Sequence, residues 1–202
     1  MRGGRAVTWD AVVLAGGEAR RLGGVDKMTI TVGGRTVLDR VVDAVGGAER
    51  IVVVGSRRPL ARAVVWTREQ PPGGGPVAGL AAGLALVTAD RAVLLAGDLP
   101  FVSPALVDVL LAQVARPSSG PVDGPDGAVL ADDGGVPQLL CGAWRTESLR
   151  RALTAVAPPA GTSVRRLIAG LRVRTVPPPV GGPPPWLDCD TEADVAAAND
   201  LV

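Results

Sequence analysis

The chain has 202 residues, a formal net charge of +1 and 47% hydrophobic residues, but only 2% aromatic residues. With this charge balance, no electrostatic footprint indicates binding to nucleic acid or to an anionic membrane, and we expect neither as a partner. The absence of histidine excludes histidine acid–base catalysis, Ser-His-Asp triads and histidine zinc sites, and leaves carboxylates, Lys, Arg, backbone N–H groups or a hard metal ion.

Apolar runs alternate with helical patterns through the first half of the chain. Strands are predicted at residues 9–16, 50–56, 62–66 and 91–98, and helices at 36–46, 76–90 and 103–115. The last of these helices has a strong start signal, because Ser103 is a good N-cap and Pro104 suits the first helical turn. Continuous apolar strands that alternate with helices predict a parallel sheet covered on both faces.

The second half of the chain is less regular. The predicted elements are two antiparallel strands within 127–145, helices at 146–157 and 162–171 that each have a Thr cap, a strand at 172–176 and a C-terminal helix. Asp190 or Thr191 would cap the C-terminal helix, which carries acidic residues in its first turn.

The length fits one domain, and we predict a single domain over residues 1–202. No apolar run reaches the roughly 18 residues of a membrane span, and the N-terminus has no apolar signal-peptide core. We therefore expect a cytoplasmic protein. Cys141 and Cys189 lie far apart without metal-ligand spacing, so we expect buried free thiols in a reducing compartment.

The turn after the first strand, LAGGEARRLGGVDK at residues 14–27, has the composition of a phosphate-binding loop. Ligands bind beyond the carboxyl ends of parallel strands, and Gly16 and Gly17 would let backbone N–H groups approach a phosphate closely. The cations of this loop are Arg20, Arg21 and Lys27. Lys27 is the only lysine among 21 basic residues, which indicates a need for a compact point charge. From spacing alone, a glycine-rich surface turn with solvated arginines is an alternative.

This stretch resembles the signature loop of the molybdenum cofactor guanylyltransferases, which belong to the GT-A-like nucleotidyltransferases. The family pattern is LAGG, a short variable step, Arg, an aliphatic residue, Gly, and then Asp-Lys. The matching residues are Leu14, Ala15, Gly16 and Gly17, then Arg21, Leu22 and Gly23, then Asp26 and Lys27. The resemblance implies an α/β fold, a Rossmann-like three-layer αβα sandwich with a mostly parallel sheet. Related cytidylyltransferases tend to carry Pro before the lysine, so Asp26 favours the guanylyl branch.

A second stretch, PPGGGPVAGL at residues 71–80, resembles the family's Gly-Pro-aliphatic-Ala-Gly segment, which lies near the nucleotide. The match implies that Gly79 contacts the nucleotide. A loop that runs into a buried helix would explain Pro76 but not the run of glycines. Many guanylyltransferases have an Asp before this segment that helps to select guanine, and the nearest acidic residue here is Glu69.

Two acidic stretches imply a Mg²⁺ site at Asp98 and Asp190. LLAGDLPFV at 95–102 resembles the strand-end GDxP motif, in which the family's aspartate holds Mg²⁺ on the triphosphate. A lone Asp at a strand end is otherwise a turn residue or a cap. WLDCDTEADV at 186–195 resembles the C-terminal N-x-N-T or D-x-D-T segment, with Asp188 and Asp190 where many guanylyltransferases carry Asn. Asp190 is either a second metal ligand or only a helix cap.

The resemblance implies that the terminal phosphate of molybdopterin, with or without its metal, attacks the α-phosphorus of GTP and releases pyrophosphate. A phosphate is already nucleophilic, so this reaction needs no histidine base. The implied catalytic residues are Arg21, Lys27 and Asp98, and the implied nucleotide-binding residues are Leu14, Ala15, Gly16, Gly17, Lys27, Glu69, Gly79 and Asp98. Proteins that deliver the cofactor or accept the product are further implied partners.

Two other interpretations of the sequence remain open. The chain could be a cytidylyltransferase of the same cofactor, or another NTP-dependent nucleotidyltransferase of this fold. It could also be a non-catalytic, nucleotide-binding regulatory protein, although the combination of Arg21, Lys27 and Asp98 argues against that function.

Overall fold

The computed structural model describes residues 8–16, 26–114 and 124–202. The strands are β1 (Trp9–Leu14), β2 (Thr31–Val32), β3 (Arg35–Thr36), β4 (Ile51–Val54), β5 (Val65–Thr67), β6 (Arg91–Ala96), β7 (Gly127–Ala131), β8 (Pro137–Arg145) and β9 (Val173–Val176). The helices are α1 (Val37–Ala44), α2 (Pro76–Leu84), α3 (Pro104–Gln113), α4 (Thr146–Ala155), α5 (Val164–Ile168) and α6 (Glu192–Asp200), and a 3₁₀ turn spans Lys27–Thr29. Within these three ranges, no helix is long and apolar enough to cross a membrane.

Seven of the strands form one sheet in the order β5-β4-β1-β6-β8-β7-β9. Strand β8 pairs antiparallel with both β6 and β7, whereas the other neighbours in the sheet are parallel. The predicted mostly parallel sheet with an antiparallel excursion is therefore confirmed. Strands β2 and β3 form a separate hairpin that the hydrophobic pattern does not predict. Its signal is the pair Gly33 and Gly34, which turn the chain with positive φ, as two-residue hairpin turns require.

Successive residues of β1 enter two different cores, because side chains alternate across a strand. Val13 packs in the core that α1 and α3 cover, and Val12 packs in the core that α2, α4 and α5 cover. Both side chains are fully buried. A central strand buried on both faces, with helices on each side, confirms the predicted three-layer αβα sandwich.

Two of the predicted helix caps are wrong. Thr146 lies inside α4, which begins after Arg145, and its hydroxyl donates to the carbonyl of Ala89 at 2.7 Å instead of accepting from its own helix. Helix α5 is capped by Ser163, whose hydroxyl accepts from the Arg166 N–H. At α4 a tertiary hydrogen bond takes the threonine hydroxyl, and at α5 the helix begins one residue later, so that Ser163, a better cap than threonine, takes the N-cap position.

Helix α2 and strand β5 also differ from their predicted bounds. Helix α2 ends at Leu84 rather than at residue 90, because the next residues turn back towards the sheet. The fully buried carboxylate of Asp10 accepts the N–H groups of Thr88 at 2.7 Å and Ala89 at 3.1 Å and holds this turn. Strand β5 lies at 65–67 rather than at 62–66, since it pairs with the last residues of β4.

Helix α2 lies unusually close to the sheet at Gly83. A Cβ added to Gly83 would lie 2.5 Å from Val12 Cγ1 and 3.0 Å from Val54 Cγ2. At Gly79, one turn earlier in the same helix, an added Cβ would meet Leu14 at 3.4 Å, an ordinary contact. The two glycines of α2 therefore differ in function, and Gly83 sets the distance between helix and sheet.

We expect Gly83→Ala to destabilise the protein by about 1–2 kcal/mol, because overpacking against Val12 outweighs the better helix propensity of alanine. Gly79→Ala is the matched control and should be neutral or stabilising by up to about 1 kcal/mol. Urea unfolding of both variants measures the difference. Equal stabilisation by the two substitutions would contradict a close contact at Gly83.

Candidate active site

A cleft of about 680 Å³ opens at the carboxyl ends of β1, β4 and β6. The backbone ladder continues past these strands, because the Ala15 N–H donates to Val54 O and the Gly97 N–H donates to Leu14 O, both at 2.9 Å. Hydrogen-bonded strand ends therefore form a rigid floor. The predicted nucleotide-binding residues that lie in the described ranges all line this cleft, namely Leu14, Ala15, Gly16, Lys27, Glu69, Gly79 and Asp98.

Close contact between backbone segments shapes the floor of the cleft. Gly55 has a φ of +149°, and an added Cβ would lie 2.6 Å from Ala15 O. A Cβ on Gly16 would lie 3.3 Å from Val54 O. Glycine at these positions lets the ends of β1 and β4 pack directly against each other, so that main-chain atoms line the cleft and can approach a ligand closely.

Lys27 is the centre of the charged part of the site. Its ammonium donates to Asp98 Oδ2 at 3.2 Å and also to Asp190 Oδ1. The lysine side chain is only 12% exposed, whereas that of Asp190 is 58% exposed. The structure thus brings Lys27 together with two other predicted site residues, which lie 71 and 163 positions further along the chain.

Asp190 is not the cap of the C-terminal helix. Thr191 caps α6 through a reciprocal capping box with Asp194, which leaves the Asp190 carboxylate free to pair with Lys27. The alternative in which Asp190 serves only as a helix cap is therefore wrong. The N–H of Cys189 donates to Asp98 O at 3.3 Å, so main-chain and side-chain contacts both attach this segment to the end of β6.

Around the Lys27 ammonium, the described residues include more carboxylates than cations. Burial, and then the nearby charge of Asp98, raises the pKa of Asp188 above its ordinary value, although Lys27 acts in the opposite direction. Among the described residues, no three carboxylates or cysteines are close enough to form a complete metal cage. Asp98 and Asp190, which share the Lys27 ammonium, are the residues that could hold a divalent cation, with the remaining ligands coming from a substrate and water.

Glu69 and the glycine-rich segment form the opposite wall. The Glu69 side chain is buried, and its Oε1 accepts the Gly73 N–H at 3.2 Å. A Cβ on Gly16 would lie 3.6 Å from Glu69 Oε2, so the second oxygen faces the floor of the cleft. Helix α2 begins beside it, after Gly75, which has no side chain to cap the helix N–H groups. Such a helix N-terminus favours an anionic ligand.

Sequence reasoning missed Arg58, which lines the same cleft. Its Nε donates to Asp26 Oδ2 at 2.6 Å, and its side chain is 13% exposed. Partial burial alone would raise the pKa of Asp26, but hydrogen bonds from Arg58 and from the Met28 N–H outweigh it and hold that pKa below its ordinary value. The available signal was the pair Arg57 and Arg58 shortly after β4, at the same edge of the sheet as the glycine-rich loop that follows β1.

Several predicted residues of the opening loop have no described position. Gly17 and Arg21, together with Arg20, Leu22 and Gly23, lie outside the described residues. The predicted catalytic role of Arg21 and the predicted nucleotide contact of Gly17 therefore stay predictions.

The fold and the cleft are those of the α/β nucleotidyltransferases. A family model described as the MobA-like NTP transferase domain matches residues 11–176, and the chain belongs to this family. Over 94% of its length, the chain is 32% identical to the molybdenum cofactor guanylyltransferase of Bradyrhizobium sp. (strain ORS 278), and the alignment covers 91% of that relative. The predicted family and the predicted enzyme class are both confirmed.

Solved structures with similar folds include two nucleotidyltransferases of different name. Molybdopterin-guanine dinucleotide biosynthesis protein A from Archaeoglobus fulgidus aligns with a TM-score of 0.66 at 19% identity, over 95% of this chain and 97% of that one. A 2-C-methyl-D-erythritol 4-phosphate cytidylyltransferase from Thermus thermophilus aligns with a TM-score of 0.68 at 19% identity, with the same coverage. At such identities these likenesses confirm the fold class alone, and the fold does not distinguish guanine from cytosine.

The Cys189 thiol gives a pH-dependent test of how the C-terminal segment packs on the site. Cys141 and Cys189 are both buried free thiols, as predicted. Burial, followed by the charge of Asp98, raises the pKa of Cys189 to about 11. The thiol of an unfolded chain has a pKa of about 8.5. Above that pH the unfolded state loses a proton that the folded state still holds. The free energy of unfolding therefore falls as the pH rises from about 8.5 to about 11.

We expect Cys189→Ala to lose less stability than the wild type between these two pH values. Urea unfolding of both proteins across the interval measures the two slopes, and comparing slopes within each protein cancels the packing cost of the substitution. Parallel stability–pH curves would contradict a thiol held neutral beside Asp98.

Proposed function

We propose that the chain transfers GMP from GTP to the terminal phosphate of molybdopterin or the molybdenum cofactor. An oxygen of the acceptor phosphate forms the new bond to the α-phosphorus, the bond to the β-phosphate breaks, and pyrophosphate leaves with the electron pair. The observation that carries the proposal is the Lys27 ammonium between the Asp98 and Asp190 carboxylates, in a cleft of a chain similar to a molybdenum cofactor guanylyltransferase over most of its length.

Lys27 has the position and the chemistry to stabilise a triphosphate. Negative charge accumulates on the departing pyrophosphate, and a largely buried ammonium offsets it more strongly than a solvated one. The acceptor phosphate is itself the nucleophile, so no general base is needed and the absence of histidine is no obstacle. The chain's own contribution is then positioning and charge neutralisation.

Mg²⁺ is the proposed cofactor, held by Asp98 and Asp190. Both are hard oxygen donors, and magnesium in nucleotide sites is commonly bound by one or two carboxylates together with substrate phosphates. When bound, the ion would neutralise triphosphate oxygens. The surplus of carboxylates around Lys27, which includes the nearby Asp188, supports a site that accepts a further positive charge.

Glu69 supports guanine as the base. Its buried carboxylate lies beside Gly16 on the wall of the cleft, and a carboxylate can accept two hydrogen bonds from the N–H groups on one edge of guanine. The main-chain atoms of Leu14–Gly16 would pack along the nucleotide, and the N-terminus of α2 would attract its phosphates.

Nucleotide binding followed by turnover tests this function. With Mg²⁺ present, we expect GTP to raise the unfolding temperature more than CTP, ATP or UTP at equal concentration, since a ligand that binds only the folded state stabilises it. Pyrophosphate should then be released only when molybdopterin is added. A preference for CTP would move the protein to the cytidylyltransferases, and GTP binding without turnover would indicate a regulatory nucleotide-binding protein.

Lys27→Gln and Asp98→Asn should each lower kcat/KM for GTP by about 10²–10³-fold, which is the cost of removing one preorganised electrostatic group. Arg57→Gln is the matched control, because Arg57 is an exposed cation at the same edge of the sheet that does not line the cleft. Steady-state pyrophosphate release with melting curves for each variant measures the effect. Wild-type rates in Lys27→Gln would exclude a role for this ammonium in the transfer.

A further inference from the structure

Arg58 connects three segments of the chain at the rim of the cleft. Its Nε donates to Asp26 Oδ2 at 2.6 Å, and its Nη1 donates to Ser56 O at 2.8 Å and to Ala15 O at 3.4 Å. These acceptors belong to the residue before Lys27, to the loop after β4 and to the end of β1. One side chain therefore joins the floor of the cleft to the start of the lysine turn.

Asp26 is fully occupied in shaping that turn. Its Oδ1 accepts the Met28 N–H at 3.1 Å, and its carbonyl accepts the N–H and the hydroxyl of Thr29 at 2.9 and 2.8 Å. Its other carboxylate oxygen is the one that binds Arg58. The 3₁₀ turn Lys27–Thr29 is thus anchored to the sheet through the carboxylate of Asp26 and the guanidinium of Arg58.

We propose that Arg58 is a positioning residue, which holds the Asp26 turn and thereby fixes the Lys27 ammonium between Asp98 and Asp190. Its consequence for catalysis rests on the proposed nucleotidyl transfer. A lysine side chain has four flexible bonds, so its ammonium is placed accurately only if its backbone is held. The other hydrogen bonds of Asp26 stay within its own turn, whereas the bond from Arg58 reaches it from the floor of the cleft.

The arginine of this ion pair is more buried than the arginine of an ordinary surface pair. The side chain of Arg58 is 13% exposed, compared with 48% for Arg35 in its pair with Asp43. Exposed pairs of the second kind contribute little, because water screens them. A planar guanidinium can also donate to a carboxylate and to two carbonyls at fixed angles, which a lysine in its place could not do.

The single lysine of this chain permits a direct test that does not depend on turnover. Sulfosuccinimidyl acetate acetylates amines, and mass spectrometry of the peptide that contains Lys27 separates this site from the N-terminal amine. In the wild type, burial and two carboxylate partners should keep the acetylation of Lys27 slow. Arg58→Gln and Asp26→Asn should each raise this rate by about threefold or more, because the turn opens more often.

Two controls separate this effect from general unfolding. Arg57→Gln removes a neighbouring exposed arginine and should leave the acetylation rate unchanged. Cys141 is fully buried in the sheet, so its thiol should stay unreactive towards a thiol reagent in every variant that is folded. Lys27 acetylation is compared only among variants that pass this check, and Asp26→Asn supplies a second, milder variant if Arg58→Gln does not fold.

Kinetics tests the catalytic consequence. Arg58→Gln should lower kcat by about 10–100-fold, as lost outer partners of catalytic groups do, with little change in the KM for GTP. Arg58→Lys, measured only by kinetics because it adds a second lysine, should recover part of kcat. The double variant Asp26→Asn/Arg58→Gln should lower kcat no further than the more damaging of the two single variants, since the two residues act as one unit.

Unchanged Lys27 acetylation in folded Arg58→Gln would overturn the positioning role, whichever nucleotide the enzyme uses. Faster acetylation with an unchanged kcat would overturn its importance for transfer. Failure of the wild type to bind or turn over GTP would instead refute the proposed function and leave the acetylation result standing.

Discussion

The site depends on one partly buried interaction, the pairing of the Lys27 ammonium with carboxylates from two distant segments. Asp98 follows a central strand, and Asp190 belongs to a segment that follows the last strand and reaches the same edge of the sheet. Without a cation between them, these carboxylates and the nearby Asp188 would repel one another in a partly dehydrated place. The lysine therefore holds the C-terminal segment against the sheet and keeps the two carboxylates close together at the cleft.

The parallel sheet makes this meeting of charges feasible. Strands β1, β4 and β6 end at one edge, and the close contacts at Gly16 and Gly55 leave main-chain atoms on the floor of the cleft. Gly83 lets α2 pack tightly on the sheet, which positions the glycine-rich segment at the start of that helix as the opposite wall. The close packing of backbone segments and the shape of the cleft both depend on Gly16, Gly55 and Gly83.

Asp26 shows how a sequence marker can have a structural basis. In the sequence it favours the guanylyl branch over relatives with proline before the lysine, yet its carboxylate accepts hydrogen bonds from Arg58 and from the Met28 N–H rather than being free for a ligand. A proline could not form either hydrogen bond. In this chain Asp26 thus anchors the lysine turn, whereas the buried carboxylate of Glu69 faces the floor of the cleft from the opposite wall.

The sequence by itself determined most strands and helices of the main sheet, its mostly parallel arrangement and most of the cleft residues that the structure describes. Hydrophobic periodicity, glycines and strand-end motifs carry this information because each depends on only a few neighbouring residues. Tertiary structure decided what local signals left open: Ser163 rather than a threonine as a cap, Thr191 rather than Asp190, and the turn that ends α2 on Asp10. It alone revealed the pairing of Asp26 with Arg58, 32 positions away. Such a contact depends on how the ends of β1 and β4 are placed side by side, since hydrogen bonds and ion pairs require approach within a few ångströms and sequence spacing carries no such distance.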